Sequence, residues 1–257
     1  MIGILLGLTL IQAGVPQTLH NGDPASSAVY PFGVGESFGY TAKLGFINLG
    51  RGTISVPKID TVRGVPSFVF RFQIQGGIPL YKLNSVMESR TGIADFQSRR
   101  FTQNNDENGR LVIRHYDIFP DSGFYQLEGE DGPQPTSEQP LDDAAFLFFI
   151  RSFPLVVGET YEFHTYFKKA KNPLTITVDK REECELPDDS KVQCLVVLPV
   201  MGDRGIFAKR AGAKVWLTDD ARRIPVQIRS RYPFGTVVLR LDEMHLVPPT
   251  PKPPGRS

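Results

Sequence analysis

The six residues Thr218-Asp219-Asp220-Ala221-Arg222-Arg223 crowd two carboxylates and two guanidiniums into one short stretch. Adjacent carboxylates can hold a divalent cation or divide general acid and base work between them. Neither role is complete here, because no histidine or third acid lies close by in sequence. Before the cluster, Ala213, Val215 and Leu217 share one face of an alternating run, with Trp216 on the other. After it, Ile224, Val226 and Ile228 share a face, opposed by Gln227, Arg229 and Arg231. The cluster must therefore reverse the chain between two strands. Aspartate suits a reversal because its carboxylate accepts from nearby backbone N–H groups, and Arg222 and Arg223 can neutralise the charge. The stretch reads as a turn.

The four histidines, His20, His115, His164 and His245, show no metal-like spacing and no accompanying G-x-S-x-G nucleophile motif. The sequence contains no phosphate-binding loop, dinucleotide fingerprint or histidine-based zinc motif. The glycine-rich stretch 33–39 precedes a strand rather than opening a helix, so it lacks the dipole that would attract a phosphate. No catalytic residue, metal ligand or cofactor is assigned. One enzymatic alternative stays open, a hydrolase acting on a cell-envelope polymer. It would need Asp219 or Asp220 to converge with His164 and Glu162 across the sheet.

Cys184 and Cys194 are the only cysteines, and they flank Pro187-Asp188-Asp189-Ser190 in a strand–turn–strand pattern. Pairing Leu186 with Val192 across that turn sets Cys184 opposite Cys194, near enough to be joined. In an exported chain the expectation is a disulfide, with two independent buried thiols as the alternative.

Two further groups could bind rather than catalyse. The aromatics Phe68, Phe70, Phe72, Phe146, Phe148, Phe149, Phe163 and Trp216 could fill a close-packed core or line an apolar cavity. Phe70, Phe146, Phe149 and Trp216 are the candidate lining. The last third carries Lys209, Arg210, Lys214, Arg222, Arg223, Arg229, Arg231 and Arg240. Arg229 and Arg231 share a strand face and could hold an anionic glycan or lipid headgroup; a solvated, ion-paired face is the plainer reading. A formal net charge of +1 predicts no general attraction to nucleic acid or to anionic membrane.

These groups need elements to position them. With 24 Gly, 21 Pro and 18 Phe, the composition favours short strands, frequent turns and an aromatic core. Strand patterns recur over 36–46, 50–60, 66–77, 87–92, 94–103, 109–118, 123–130 and 158–167, then through the cysteine hairpin and the closing stretch. The strongest is 66–77, with Phe68, Phe70, Phe72 and Ile74 on one face. Pro57 predicts an edge or a bulge. Residues 104–109 (NNDENG) and Pro233-Phe234-Gly235 are expected as turns, and 130–140 as a loop. One segment breaks the rhythm. Residues 141–154, LDDAAFLFFIRSFP, begin with Asp142 and Asp143 and end at a proline, which predicts a helix. Apolar all round, that helix needs cover on most sides, which places it in the mouth or on the concave side of a curved sheet. The predicted fold class is mainly β: a single antiparallel, strongly curved sheet or partly open barrel with one short apolar helix.

The run from Met1 to Ile11 is too short to span a bilayer but fits the core of a secretion signal, with a cut after Ala13. The expected organisation is a signal peptide over 1–13, a polar linker over 14–31, the curved β domain over 32–246 and a proline-rich disordered tail over 247–257. The mature chain is then expected in the periplasm or cell envelope, and not as an integral membrane protein. Four stretches, FGVGESFGY (32–40), LDDAAFLFFIRSFPLVVGETYEF (141–163), CLVVLPVM (194–201) and KVWLTDDARRIPVQIRSRYPFGTVVLRL (214–241), resemble the bacterial exported proteins of the domain of unknown function 3108 family. That resemblance implies a β-rich envelope domain entered by a signal peptide, and it brings no established activity or catalytic residue. The combined expectation is a non-enzymatic binding module for a lipid, a glycan or an envelope protein partner. A lipid carrier would need an empty apolar cavity beneath the helix; a pure interaction module would not.

Overall fold

The computed structural model describes residues 29–78, 81–202, 207–232 and 235–253. The expected signal peptide, most of the linker, the Pro233-Phe234 dipeptide and residues 254–257 of the tail lie outside the described residues. Strands β1 (Val29–Tyr30), β2 (Ser37–Leu44), β3 (Ile47–Val62), β4 (Val65–Ile78), β5 (Tyr81–Gly92), β6 (Ser98–Glu107), β7 (Arg110–Phe119), β8 (Phe124–Leu127) and β9 (Gln134–Pro135) precede helix α1 (Asp143–Ser152). After it come β10 (Thr160–Phe163), β11 (Leu174–Glu185), β12 (Lys191–Val200), β13 (Lys214–Thr218), β14 (Pro225–Tyr232), β15 (Gly235–His245) and β16 (Thr250–Pro251).

Fourteen strands make one antiparallel sheet in the order β10-β11-β12-β13-β14-β15-β2-β3-β4-β5-β6-β7-β8-β9. Its edges, β9 and β10, share no ladder, so the sheet is not a closed barrel. The segments that follow those edges nevertheless meet. Leu141 N–H donates to the Thr165 carbonyl (2.6 Å) and Phe167 N–H to the Leu141 carbonyl (3.0 Å). The hydroxyls of Thr136 and Ser137 donate to the carbonyls of Phe167 and Tyr166 at 2.8 and 2.7 Å. Curling thus brings the two ends of the sheet together at this crossing.

Alternation sets the inner face. On β4, Phe68 and Phe70 are fully buried, and Phe72 and Ile74 are half-buried. Burying one such ring contributes about 1.5–3 kcal/mol. Between β3 and β4 the register slips between Ser55 and Lys58, so Pro57, which has no N–H to offer the ladder, sits in a bulge. Helix α1 occupies the concavity. Asp142 caps it, accepting from the N–H groups of Ala144 and Ala145, and every residue from Ala144 to Arg151 is buried. Phe148 stacks on Phe70 with ring centroids 4.1 Å apart.

Several boundaries differ from expectation. The β6–β7 reversal uses only Asn108 and Gly109, at φ 55° and 81°. Asn104 to Glu107 continue β6, because ladders to β5 and β7 on both sides outweigh their poor strand propensity. The alternation over 158–167 is strand only to Phe163; Tyr166 and Phe167 are buried in the crossing at Leu141. Part of the tail is ordered rather than disordered: β16 pairs with β1, and Thr250 N–H donates to the Phe32 carbonyl at 3.0 Å. A proline-rich segment keeps its carbonyls, so it can be held from the acceptor side, as Arg222 holds the Val247 carbonyl at 2.7 Å. Gly33 permits this approach, since a Cβ there would lie 2.7 Å from the Pro248 oxygen.

Candidate functional site

The proposed cavity lining divides between two places. Phe70 and Phe146 are fully buried and Phe149 nearly so, all within the main core. Phe146 meets Phe207 edge-on at 5.3 Å, and Phe149 meets Phe163 edge-on at 5.1 Å. The crevice left beside the helix, between Ile54, Phe72, Met87, Asp143, Leu147 and Phe207, amounts to about 10 Å³. That is room for one water at most. Among the described residues these three phenylalanines are packed into the core, because a helix apolar on every side fills the concavity itself.

Trp216, Arg229 and Arg231 instead share the convex face. Beyond a register shift between Val178 and Lys180, β11 turns Glu182 and Cys184 outward. Cys184, Leu186, Val192, Cys194, Val196, Trp216 and Val226 form a second apolar cluster, apart from the main core. Val226 belongs there, not with Ile224 and Ile228, because a bulge opposite Trp216 and Leu217 rotates it outward. Cys184 and Cys194 are joined in a disulfide with Cα atoms 5.9 Å apart. The register differs by two residues from the expected one: Cys184 pairs with Val192 and Cys194 with Glu182, so the bridge runs diagonally. The tight turn at Asp188-Asp189, with Asp189 at φ 63°, brings Leu186 N–H onto the Ser190 carbonyl and sets that register.

Trp216 Nε1 donates to Glu182, whose carboxyl hydrogen bonds from Lys180 and Trp216 hold below the usual range. A groove of about 270 Å³ opens beside the indole, walled by the carboxylates of Glu182, Glu183 and Glu185 and by Lys191, Gln227 and Arg240. From the groove the same face becomes basic. Lys214 stands directly across from Arg229, and Arg229 across from Val238, which pairs with Lys43. Lys214 has a long contact to Asp179 (3.8 Å). Arg229, Arg231 and Lys43 are exposed, with no hydrogen bond or ion pair to another described residue. Three further cations are engaged, Arg240 with Glu185 (3.3 Å), Arg223 with Asp219 (3.2 Å) and Arg222 with Glu36 (3.3 Å), while Lys209 and Arg210 are exposed.

The acidic corner is a turn. Asp220 accepts from the Thr218 hydroxyl (2.8 Å) and from the N–H groups of Arg222 (2.8 Å) and Arg223 (3.0 Å). Arg181 and then Arg223 hold the Asp219 carboxyl below its usual range. The enzymatic convergence fails on register. Asp219 N–H bonds Gln193 at one end of β12, whereas Glu162 pairs with Thr175, which pairs with Val200 at the other. At about 3.3 Å per residue those positions are roughly 23 Å apart. His164 sits in the open beside Glu162, 3.4 Å away. Among the described residues no three His, Cys, Asp or Glu side chains converge as a metal site, and no helix is long and apolar enough to cross a membrane.

A family described as a protein of unknown function (DUF3108) matches over residues 39–242. The chain belongs to this family. In this DUF3108 member the match runs from β2 into β15, so both the helix-filled interior and the Trp216–Arg229 face lie within it. No curated protein matches the sequence. Among solved structures, a beta-barrel-like protein of domain of unknown function DUF1849 from Brucella abortus superposes with a TM-score of 0.52 at 10% identity. The superposition covers 86% of this chain and 100% of that one. At this identity the likeness is one of fold.

One buried ion pair and the burial of one capping carboxyl had no forecast. Arg151 and Glu36 form an ion pair inside the molecule, and Asp142 is a buried carboxyl. Their signal was an ionisable residue inside an apolar run, Arg151 within FLFFIRSF and Glu36 within FGVGESF, since a charge so placed needs a partner.

The disulfide gives a direct prediction. Its partners are 10 residues apart, a loop for which the chain-entropy model gives about 2–3 kcal/mol. Reduction should lower unfolding free energy by that amount in urea titrations. Trp216, the single tryptophan, should report it by a change in emission, since it packs in the same cluster as Cys194. An unchanged midpoint and spectrum would refute this.

Proposed function

We propose that this DUF3108 member is an exported, non-enzymatic binding module of the cell envelope. Its outer face takes an anionic group, a phosphate or carboxylate, carried by an envelope glycan or a lipid headgroup. One observation carries the reading: Arg229, Arg231 and Lys43 are exposed on one convex surface with no side-chain partner among the described residues, beside the Gln227–Arg240 side of a groove whose far wall holds Glu182, Glu183 and Glu185. Like charges held adjacent on a sheet disfavour one another, and an anion laid across them removes that cost. The filled interior argues against a carrier that encloses an acyl chain.

The test compares a soluble anionic polysaccharide, a neutral one, and vesicles with and without anionic lipid. Arg229→Glu with Arg231→Glu should weaken binding to the anionic probes by roughly tenfold or more, about 1.4 kcal/mol or above. Binding should also fall as added salt shortens the screening length. Preference for polysaccharide or for vesicle names the source of the anion. Equal binding of neutral probes, or indifference to charge reversal, overturns the reading, as does recovery of the protein from the cytosol on cell fractionation.

A further inference from the structure

The sheet leaves one apolar strand edge uncovered. Strand β7 pairs with β6 from Arg110 opposite Glu107 to Asp117 opposite Arg100. On its other side β8 pairs only with residues Tyr116 to Phe119, and Glu128 N–H closes that ladder on the His115 carbonyl at 2.9 Å. Among the described residues no strand pairs with the outer side of 110–114. Because the His115 carbonyl points to that side, two-residue periodicity directs the N–H and C=O groups of Ile113 and Leu111 there too. Their side chains, on the outer face with His115 and Asp117, are 50% and 58% exposed.

An edge of this kind invites strand pairing, and proteins usually guard it with charge or a bulge. The opposite free edge is guarded in that way: beyond Val178 on β11, residues 180–185 read KREECE. The β7 edge reads RLVIR. Its two arginines form no ion pair with another described residue, and Glu107, across the hairpin from Arg110, does not engage it. Charge therefore selects the occupant. A second copy pairing antiparallel about Val112 would set Arg110 against Arg114 twice, which opposes self-association. A strand with acidic residues on the Arg110–Arg114 face and apolar residues on the Leu111–Ile113 face meets both patterns.

We infer that β7 is a docking edge for an extended acidic–apolar segment of a partner protein, added to the sheet by main-chain hydrogen bonds. The site is separate from the convex basic face.

The probe is a labelled peptide of alternating glutamate and valine, with a lysine–valine peptide as control, titrated by fluorescence anisotropy. The glutamate peptide should bind and protect the Leu111 and Ile113 amides from hydrogen exchange. Ile113→Pro removes only an outward N–H, a substitution tolerated on edge strands, and should weaken binding roughly tenfold. Arg110→Glu with Arg114→Glu should transfer the preference to the lysine peptide while the thermal unfolding curve stays cooperative. Equal affinity for both peptides, protection on any other strand, or full binding by a folded Ile113→Pro variant would overturn the inference.

Discussion

Replacing Arg151 by alanine is expected to cost the fold about 3–5 kcal/mol, the range for removing one partner of a buried ion pair. Glu36 and Arg151 have side chains 1% and 0% exposed, and they meet through paired contacts of 2.6 and 3.1 Å. The guanidinium also donates to the carbonyls of Pro31 (3.4 Å) and Arg222 (3.2 Å). It lies within 5.5, 5.1 and 5.6 Å of the ring centroids of Phe32, Phe38 and Phe148. It thus ties four segments together: the entry to the domain, the start of β2, the end of α1 and the β13–β14 turn. Removing it strands a carboxylate in an apolar surround, with only Arg222 at 3.3 Å to answer it. Glu36→Ala should cost a similar amount for the complementary reason. The paired replacement Glu36→Leu with Arg151→Met should lose less than either single change, because no uncompensated charge is left buried. Urea unfolding of the three variants checks this; strictly additive losses would show that the pair is not coupled.

The parts of this fold legible in sequence are those where one periodicity or one cap decides the outcome. Phe68 and Phe70 face inward because nothing competes with alternation along β4. The helix begins at Asp143 because Asp142 supplies the cap, and it sits inside the sheet because LDDAAFLFFI offers no polar face. The acidic corner is a turn because Asp220 has nearby N–H groups to accept from. What sequence does not carry is register across separate strands. A shift of two residues moved the cysteine pairing from opposite to diagonal, and a bulge sent Val226 to the far face. The same ignorance of register left the binding candidates as one undivided set. Only assembled strands show that Phe70, Phe146 and Phe149 are enclosed while Trp216, Arg229 and Arg231 share the outside, or that Arg110 to Arg114 have no described strand on their outer side.

Asp142 should make stability depend on pH in a direction opposite to that of an ion-paired carboxylate. The side chain is fully buried. Burial pushes its carboxyl up to about 7, and hydrogen bonds from Ser89, from the Ala145 N–H and through Ser98 only partly offset that. An unfolded aspartate titrates near 3.9. Between about pH 4 and about pH 7 the folded chain therefore keeps a proton that the unfolded chain releases, so stability falls as pH rises through that window and levels off above it. Asp142→Asn should abolish this component. The amide oxygen can still accept from Ala144 and Ala145, and the amide N–H can donate to the Ser89 hydroxyl, which is free to turn toward Thr91, 2.7 Å away. Asp143, raised by burial as well, is present in both proteins, and the difference keeps only its charge coupling to Asp142. The difference in unfolding free energy, asparagine variant minus native, should therefore climb from pH 4 to pH 7 and then stay flat. Asp142→Ala should lose roughly 2–4 kcal/mol at pH 4, from the missing cap and the unanswered Ser89 hydroxyl together, and the loss should shrink toward pH 7 because the variant lacks the pH-dependent component. Parallel curves for the native and asparagine proteins would mean that the carboxyl ionises in the fold as it does in water, and that the cap, not the burial, governs this site.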